Sequence, residues 1–189
     1  MNNKSNYSIQ FVRKEDKELI KLLYIWQISE DEKDIMSCQW TPEKQTSEFN
    51  EDSFEKFYKS IKPRLLNELN YGFLKDNVSE EFLGFISYQK GNMRNHSIEI
   101  SYYFPKENRR KGFGKILLSL FLDTMFNYEK MNLNKIYAET YEGNEGSVKL
   151  LEHFGFTIDG RMREHYWFDD GNIKYDQLIY SLLKRDWKE

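Results

Sequence analysis

The sequence has 189 residues, of which 39% are hydrophobic and 31% are charged, and its net charge is −3 at pH 7. These values are typical of a folded domain with a sizeable core, and they exclude an intrinsically disordered or a membrane-embedded chain. The weakly acidic balance creates no field that would attract nucleic acid or an anionic membrane. The single cysteine, Cys38, excludes an internal disulfide and predicts a reducing compartment, which we take to be the cytoplasm.

Strands are predicted where apolar and polar side chains alternate, and helices where apolar positions recur at helical spacing. In the first half of the chain these patterns give, in order, a strand at 7–13, a helix from Lys14, a second helix at 47–61, a hairpin of strands at 71–77 and 81–91, and a strand at 96–104.

The second half predicts two more helices and three more strands. Asn144 is a favourable helix N-cap, and Gly155 followed by Phe156 is typical of a helix C-terminus. The elements are a helix at 112–128, a strand at 134–140, a helix from Asn144 to Gly155, and a hairpin of strands at 157–168 and 173–183. The order β-α-α-β-β-β-α-β-α-β-β predicts one α+β (mixed α/β) domain over residues 7–187, built on a largely antiparallel sheet.

The segment 109–115, named here the glycine loop, has three cations directly before two glycines and a predicted helix. A helix N-terminus offers about four unpartnered amides and a partial positive charge. Gly112 and Gly114 would let an anion approach those amides, so the loop predicts a phosphate or pyrophosphate site. The Walker and Rossmann spacings both fail, because Arg109 and Leu117 stand where those motifs need small residues.

Two motifs resemble a known family. RRKGFG (109–114) matches the Arg/Gln-x-x-Gly-x-Gly/Ala signature of the GCN5-related N-acetyltransferases (GNAT), and NEGSVKLLEHFGF (144–156) resembles their Asn-x-x-Ser/Ala…Gly-Phe segment. The element order is similar over nearly the whole chain, and the style is nearest to the RimJ/RimL-like and spermidine acetyltransferase branch. The resemblance implies a twisted, mostly antiparallel sheet of about seven strands, flanked by about four helices and splayed between the fourth and fifth strands.

The resemblance also implies acetyl-CoA as a co-substrate, no metal, and direct transfer of the acetyl group to a primary amine in a ternary complex. The pantetheine arm would add beside the predicted strand 96–104, and the pyrophosphate would lie on the glycine loop. The implied cofactor-binding residues are Tyr102, Tyr103, Phe104, Arg109, Arg110, Lys111, Gly112, Phe113, Gly114, Lys115 and Asn144.

Glu99 occupies a position that is often a base in this family, although a strand carboxylate can equally be solvated or paired with a cation. The family's usual acid, a Tyr seven residues after the Asn144 equivalent, is Leu151 here. Ser147 lies one turn earlier and is the alternative acid, or else a cap of its own helix. This departure keeps a second interpretation open, namely a non-catalytic acyl-CoA-binding sensor or regulatory domain.

The acceptor is not readable from the sequence. Nine acidic residues lie between Glu30 and Glu55, against two lysines, which indicates either a wall that attracts a cationic amine or a solvated helix face. The first interpretation allows a small cationic amine, an amino sugar or a protein N-terminus. Trp40, Tyr102, Tyr166, Trp167 and Glu164 are candidates to line the acceptor site, the aromatic ones with a core role as the alternative. We expect no nucleic-acid or membrane partner, and a homodimer is a family tendency.

Overall fold

A computed structural model describes residues 4–28, 49–65, 69–90, 93–168 and 172–188. The predicted order of elements is confirmed among them: β1 (Tyr7–Phe11), α1 (Lys17–Ile28), α2 (Glu51–Ile61), β2 (Leu69–Asp76), β3 (Phe82–Lys90), β4 (Ser97–Tyr103), α3 (Phe113–Asn127), β5 (Lys135–Tyr141), α4 (Glu145–His153), β6 (Thr157–Phe168) and β7 (Ile173–Leu183). Cys38, Trp40 and most of the acidic run lie outside the described residues.

The first two helices begin later than predicted, because polar side chains hold the backbone before them. The Asp16 carboxylate accepts a hydrogen bond from the Arg13 amide at 2.8 Å and closes a turn, so α1 starts at Lys17 rather than Lys14. The Asn50 side chain caps α2 by accepting from the Ser53 amide at 3.0 Å. Apolar periodicity locates a helix, but these local hydrogen bonds decide its first residue.

Both predicted ends of α4 are confirmed. The Asn144 side chain accepts from the Ser147 amide at 3.2 Å, which makes Asn144 the N-cap. Gly155 has φ +81°, the left-handed conformation, and the Phe156 amide donates to the Leu151 carbonyl at 3.1 Å. The Phe156 side chain is buried against the helix it terminates.

The seven strands form one sheet in the order β1-β2-β3-β4-β5-β7-β6. Every neighbouring pair is antiparallel except β4 and β5, which are parallel and joined through α3. A parallel pair needs a crossover connection of this kind, whereas the hairpin pairs do not. The predicted largely antiparallel α+β architecture is therefore confirmed.

The parallel pair β4–β5 is closed at one end and open at the other. At the closed end the His96 carbonyl accepts from the amides of Asn134 and Lys135, at 2.7 and 3.1 Å. Pairing continues to Ile100 opposite Ala138 and then stops, although both strands run on. The predicted splay between the fourth and fifth strands is thus confirmed, and it begins at Ser101 and Glu139.

The two faces of the sheet carry separate hydrophobic clusters. One contains apolar residues of α3 and α4, and the other contains those of α1 and α2. Along β4 the side chains alternate, so Ile98 and Ile100 face α3 and α4 while Tyr103 faces α1 and α2. We call these the α3/α4 face and the α1/α2 face. None of the helices in the described part of the chain is long and apolar enough to cross a bilayer.

Candidate active site

A cavity of about 460 Å³ opens where β4 and β5 diverge. Its walls include side chains of β3, β4, β5 and α2 and the first turn of α4. Of the predicted catalytic and cofactor-binding residues, the cavity brings together Glu99, Tyr102, Tyr103, Asn144 and Ser147. The two predicted catalytic residues, which are far apart in sequence, therefore share one site.

The cavity has a polar floor, formed on the α1/α2 face of the sheet. Glu99 lies opposite Gln89 on β3 and opposite Tyr137 on β5. Ser101 lies opposite Ser87, and their hydroxyls are 2.7 Å apart. Because Ile136 and Ala138 face α3 and α4, alternation along β5 turns Glu139 to the same face as Glu99. The polar floor consists of Ser87, Gln89, Glu99, Ser101 and Glu139.

Glu99 is half-buried, and no ion pair involves it among the described side chains. Burial raises the pKa of its carboxyl, and the negative charge of Glu139 raises it further. A hydrogen bond from the Tyr137 hydroxyl, at 3.5 Å, partly offsets these effects by lowering the pKa. The environment therefore makes Glu99 more basic than a solvated or cation-paired carboxylate.

Glu139 is a carboxylate that the sequence analysis missed. Its Oε2 accepts a hydrogen bond from the Gln177 side-chain amide of β7, and Gln177 itself is buried. Alternation along β5 turns Glu139 away from the face of Ala138, but only the parallel register places it beside Glu99. Arg64 and His165 also line the cavity and were likewise not predicted there.

Ser147 does not use its hydroxyl as a helix cap, because Asn144 caps its amide. Instead its Oγ lies 2.7 Å from the Tyr102 hydroxyl, and both residues line the cavity. Burial raises the pKa of Tyr102 to about 12, with the Ser147 hydrogen bond acting in the opposite direction. Leu151, at the position of the family's usual Tyr, is fully buried in the core.

The glycine loop has the unpartnered amides that the sequence predicts, but over a shorter span. The Arg109 amide donates to the Lys106 carbonyl and the Lys115 amide to the Gly112 carbonyl, at 3.2 and 3.1 Å. Within the described chain, the amides of Arg110, Gly112, Phe113 and Gly114 donate to no other group. Arg110 and Gly112 have φ of +59° and +86°, and left-handed residues of this kind occur in the concave backbone nests that bind anions in proteins. The amides of Arg109 and Lys115 thus already donate within the chain, and the predicted contacts of these two residues with the cofactor stay predictions.

The side chains of the glycine loop have different roles from one another. Arg109 donates through Nε to the Phe104 carbonyl at 2.8 Å, so it is turned toward the end of β4. The Phe113 ring packs on Tyr7 at 5.9 Å between centroids. At Gly114 an added Cβ would lie 3.1 Å from Leu150, whereas at Gly112 it would meet nothing within 4 Å. Gly114 is therefore required for close packing on α4, and Gly112 for its backbone conformation.

Several acceptor-site candidates lie elsewhere. In the described part of the acidic run, Glu55 pairs with Lys17 and Glu51 with Lys21 across the exposed surface of α1 and α2. For these carboxylates the solvated-face interpretation holds. Glu164 pairs with Lys174 at 3.4 Å. Trp167 is 64% exposed, and neither residue lines the cavity, whereas Tyr166 does.

A family model described as an acetyltransferase (GNAT) domain matches residues 9–179. YdaF of Bacillus subtilis (strain 168), provisionally named a ribosomal N-acetyltransferase, is 30% identical over 123 residues. That alignment covers 65% of this chain and 63% of YdaF, so the chain spans less than two thirds of that relative. The spermidine N(1)-acetyltransferase of Vibrio cholerae is 23% identical over 134 residues, covering 71% of this chain and 76% of the relative.

Solved structures agree on the fold. The crystal structure of spermidine N-acetyltransferase from Vibrio cholerae in complex with CoA and spermine matches with a TM-score of 0.76 at 20% identity. The match covers 96% of this chain and 98% of the chain in that crystal structure. A dodecameric structure of spermidine N-acetyltransferase from the same organism matches with a TM-score of 0.71 at 20% identity, with 95% of each chain covered. At this identity the likeness shows the fold.

Proposed function

Because the chain belongs to the acetyltransferase (GNAT) domain family, we propose that it transfers the acetyl group of acetyl-CoA to a primary amine by direct attack in a ternary complex. The observation that carries the proposal is the cavity at the divergence of β4 and β5. It opens on the α1/α2 face to Glu99 and on the α3/α4 face to Ser147. An acceptor and a thioester entering from opposite faces would meet there.

The α3/α4 face supplies the cofactor side of the proposal. The amides of Arg110, Gly112, Phe113 and Gly114 would hold the pyrophosphate. The helix dipole of α3 and the exposed side chains of Arg110 and Lys111 would support them. Beyond Ile100, β4 has lost its partner strand, so alternate amides of the segment Ser101–Tyr103 point into the gap. The pantetheine arm would pair with this free edge.

The chemistry we propose divides between the strand and the helix. Attack needs a neutral amine, and Glu99, with its raised pKa, would take the amine proton. An amide of β4 in the gap would stabilise the developing oxyanion, a contribution of about 3–4 kcal/mol for one such donor. Ser147 would assist the departing sulfur, in place of the Tyr that Leu151 replaces.

For the acceptor we propose a small cationic amine, with a polyamine as the first choice. Two carboxylates, Glu99 and Glu139, lie on the polar floor and would attract an ammonium group. Relatives named for spermidine support this choice. Amino sugars and protein N-termini are the alternative acceptors, and the experiment below includes both.

Calorimetry with CoA and an assay of thiol release from acetyl-CoA test the proposal. We expect heat of CoA binding, and thiol release with spermidine, amino sugars or peptides that carry a free N-terminus. Glu99→Gln should lower turnover by about 100-fold or more and leave CoA binding intact. Glu129→Gln, an exposed carboxylate outside the cavity, is the matched control. CoA binding without thiol release from any acceptor would instead establish the sensor alternative.

Gly112→Ala tests the glycine loop. Alanine at φ +86° costs about 1–2 kcal/mol of backbone strain and should rotate the loop amides, so we expect CoA affinity to fall by about tenfold. Gly155→Ala is the matched control, because Gly155 has φ +81° at the far end of α4. It should lose a similar amount of stability in denaturant melts and keep its CoA affinity. If the two variants bound CoA with equal affinity, the glycine loop would not be part of the CoA site.

Self-association is a separate proposal, supported by the family tendency and by the dodecameric relative. Light scattering on the purified protein measures the mass directly. A monomer at all concentrations would contradict it.

A further inference from the structure

We infer that Tyr102 is a positioning residue, which holds the Ser147 hydroxyl as a hydrogen-bond donor to the sulfur that leaves CoA. The inference rests on the proposed acetyl transfer and assigns a role to a side chain that the proposal used only for its backbone. At Leu151, the position of the family's usual acid, α4 carries no hydrogen-bond donor.

Ser147 and Leu151 lie one turn apart on the same side of α4. Leu151 is fully buried among apolar side chains, while Ser147 is half-buried and lines the cavity. The first hydroxyl that α4 offers to the gap is therefore that of Ser147. Its own amide is already engaged by the Asn144 side chain, which fixes the first turn of the helix.

Tyr102 reaches Ser147 from the opposite wall of the gap. Alternation along β4 places Tyr102 on the α3/α4 face, with Ile98 and Ile100, and away from Glu99. Its hydroxyl lies 2.7 Å from Ser147 Oγ. This hydrogen bond joins the free end of β4 to the N-terminus of α4, at the place where the pantetheine arm would enter.

A hydroxyl pair holds two protons, of which one lies between the oxygens. When the phenol donates to Ser147 Oγ, the serine proton is left for another acceptor, and the phenol polarises it. Burial raises the pKa of Tyr102 to about 12, so the phenol stays protonated throughout the working pH range. A chain in the order Tyr102 to Ser147 to sulfur is thus available at any pH where the enzyme would work.

The step balances without a proton leaving Tyr102. The amine nitrogen has by then bonded to the carbonyl carbon and given its proton to Glu99. As the oxyanion re-forms the C=O bond, the carbon–sulfur bond breaks, its electron pair stays on sulfur, and the new thiolate accepts the hydrogen bond from Ser147. Water protonates the thiolate after release. Because the donors act on charge that develops in the transition state, their loss should appear in kcat rather than in binding.

The test uses Tyr102→Phe, Ser147→Ala and the double variant, with Tyr180→Phe as the matched control. Tyr180 is a buried tyrosine outside the cavity, and its hydroxyl donates to Glu152 at 3.2 Å. We expect kcat to fall about tenfold in Tyr102→Phe and about 100-fold in Ser147→Ala, while the Kd for CoA stays within about twofold. The double variant should be no slower than Ser147→Ala, since Tyr102 acts through Ser147. Tyr180→Phe should keep the wild-type kcat.

A second measurement needs no turnover. In the CoA complex the ultraviolet absorbance of the thiolate, followed against pH, gives the pKa of the bound thiol. We expect that pKa to be lowest in the wild type and higher by about one unit in Ser147→Ala, with Tyr102→Phe between them. Ser147→Thr, which keeps the hydroxyl, should restore most of the shift.

Three results would overturn the inference. Independent, multiplicative losses in the double variant would mean that Tyr102 does not act through Ser147. A thiol pKa that is equal in all variants would mean that neither hydroxyl faces the sulfur. Tighter CoA binding in Tyr102→Phe with unchanged kcat would mean that the Tyr102–Ser147 hydrogen bond only stabilises the gap when no CoA is bound. Failure of the proposed function looks different, because the wild type would then show either no heat with CoA or no thiol release with any acceptor, and the inference would fall with it.

Discussion

Glu99 is half-buried on the polar floor, with the charge of Glu139 nearby, and both effects favour its protonated form. A carboxyl whose pKa is raised on folding stabilises the fold below its unfolded pKa, about 4.3, and loses that contribution as the pH rises through the folded pKa. The charged form that a base requires is therefore the form that the fold tolerates least.

This gives a prediction with two readouts. The acid limb of kcat/KM should lie at higher pH than for an ordinary carboxyl, because Glu99 must lose its proton to act. Glu139→Gln removes one cause of the raised pKa, so the limb should move to lower pH in pH–rate profiles. Glu99→Gln should raise the melting temperature at pH 7 more than at pH 4, where the wild-type carboxyl is already largely protonated.

The outcome that contradicts this assignment is an acid limb that does not move in Glu139→Gln. Glu142→Gln controls for a general change of charge, because Glu142 lies just beyond the end of β5 and pairs with Arg161 at 3.1 Å on the surface. It should leave the limb in place.

At the scale of elements, α4 has two functions, since it packs on the core through Leu151 and presents Ser147 to the gap. Its N-cap serves both, because the Asn144 side chain holds the Ser147 amide. The sequence predicted this cap and the glycine C-terminus correctly, since both depend on residues adjacent in the chain. It could not predict that the Ser147 hydroxyl meets Tyr102, a partner 45 residues away.

Asn144→Ala should lower the free energy of unfolding by about 1 kcal/mol, as for loss of a typical N-cap, and should also lower kcat because the first turn of α4 frays beside the gap. Asn50→Ala removes the equivalent cap from α2, where the Ser53 amide is the donor. We expect a similar loss of stability there, measured by urea unfolding, with kcat unchanged. Equal kcat in the two variants would show that the α4 cap serves stability alone.

At the scale of the whole molecule, the sheet separates two clusters that pack against different helices. In the proposed function the cofactor binds on the α3/α4 face and the acceptor on the α1/α2 face. The gap between β4 and β5 is the passage between them, and it exists because the pair is closed at His96 and unpaired beyond Ile100.

Leu23→Ala tests this separation. Leu23 is buried in the α1/α2 cluster, so its truncation should lower the free energy of unfolding by about 2–5 kcal/mol. CoA at 100 times its Kd should still raise the free energy of unfolding by about 2.7 kcal/mol. This is the same increment as in the wild type, because the ligand would bind on the other face. Thermal melts with and without CoA measure both terms. Loss of the CoA increment in this variant would place the cofactor on the α1/α2 face.

The sequence by itself determined the order of elements, the caps of α4 and the exposed glycine loop, because periodicity, capping and backbone conformation are local properties. Only the tertiary structure decided that Glu139 joins Glu99, that Tyr102 meets Ser147 and that the acids of α2 pair with α1. Those contacts depend on strand register and on which face each strand turns to the cavity. Register is set by pairing across the whole sheet, and no segment of the chain contains that information alone.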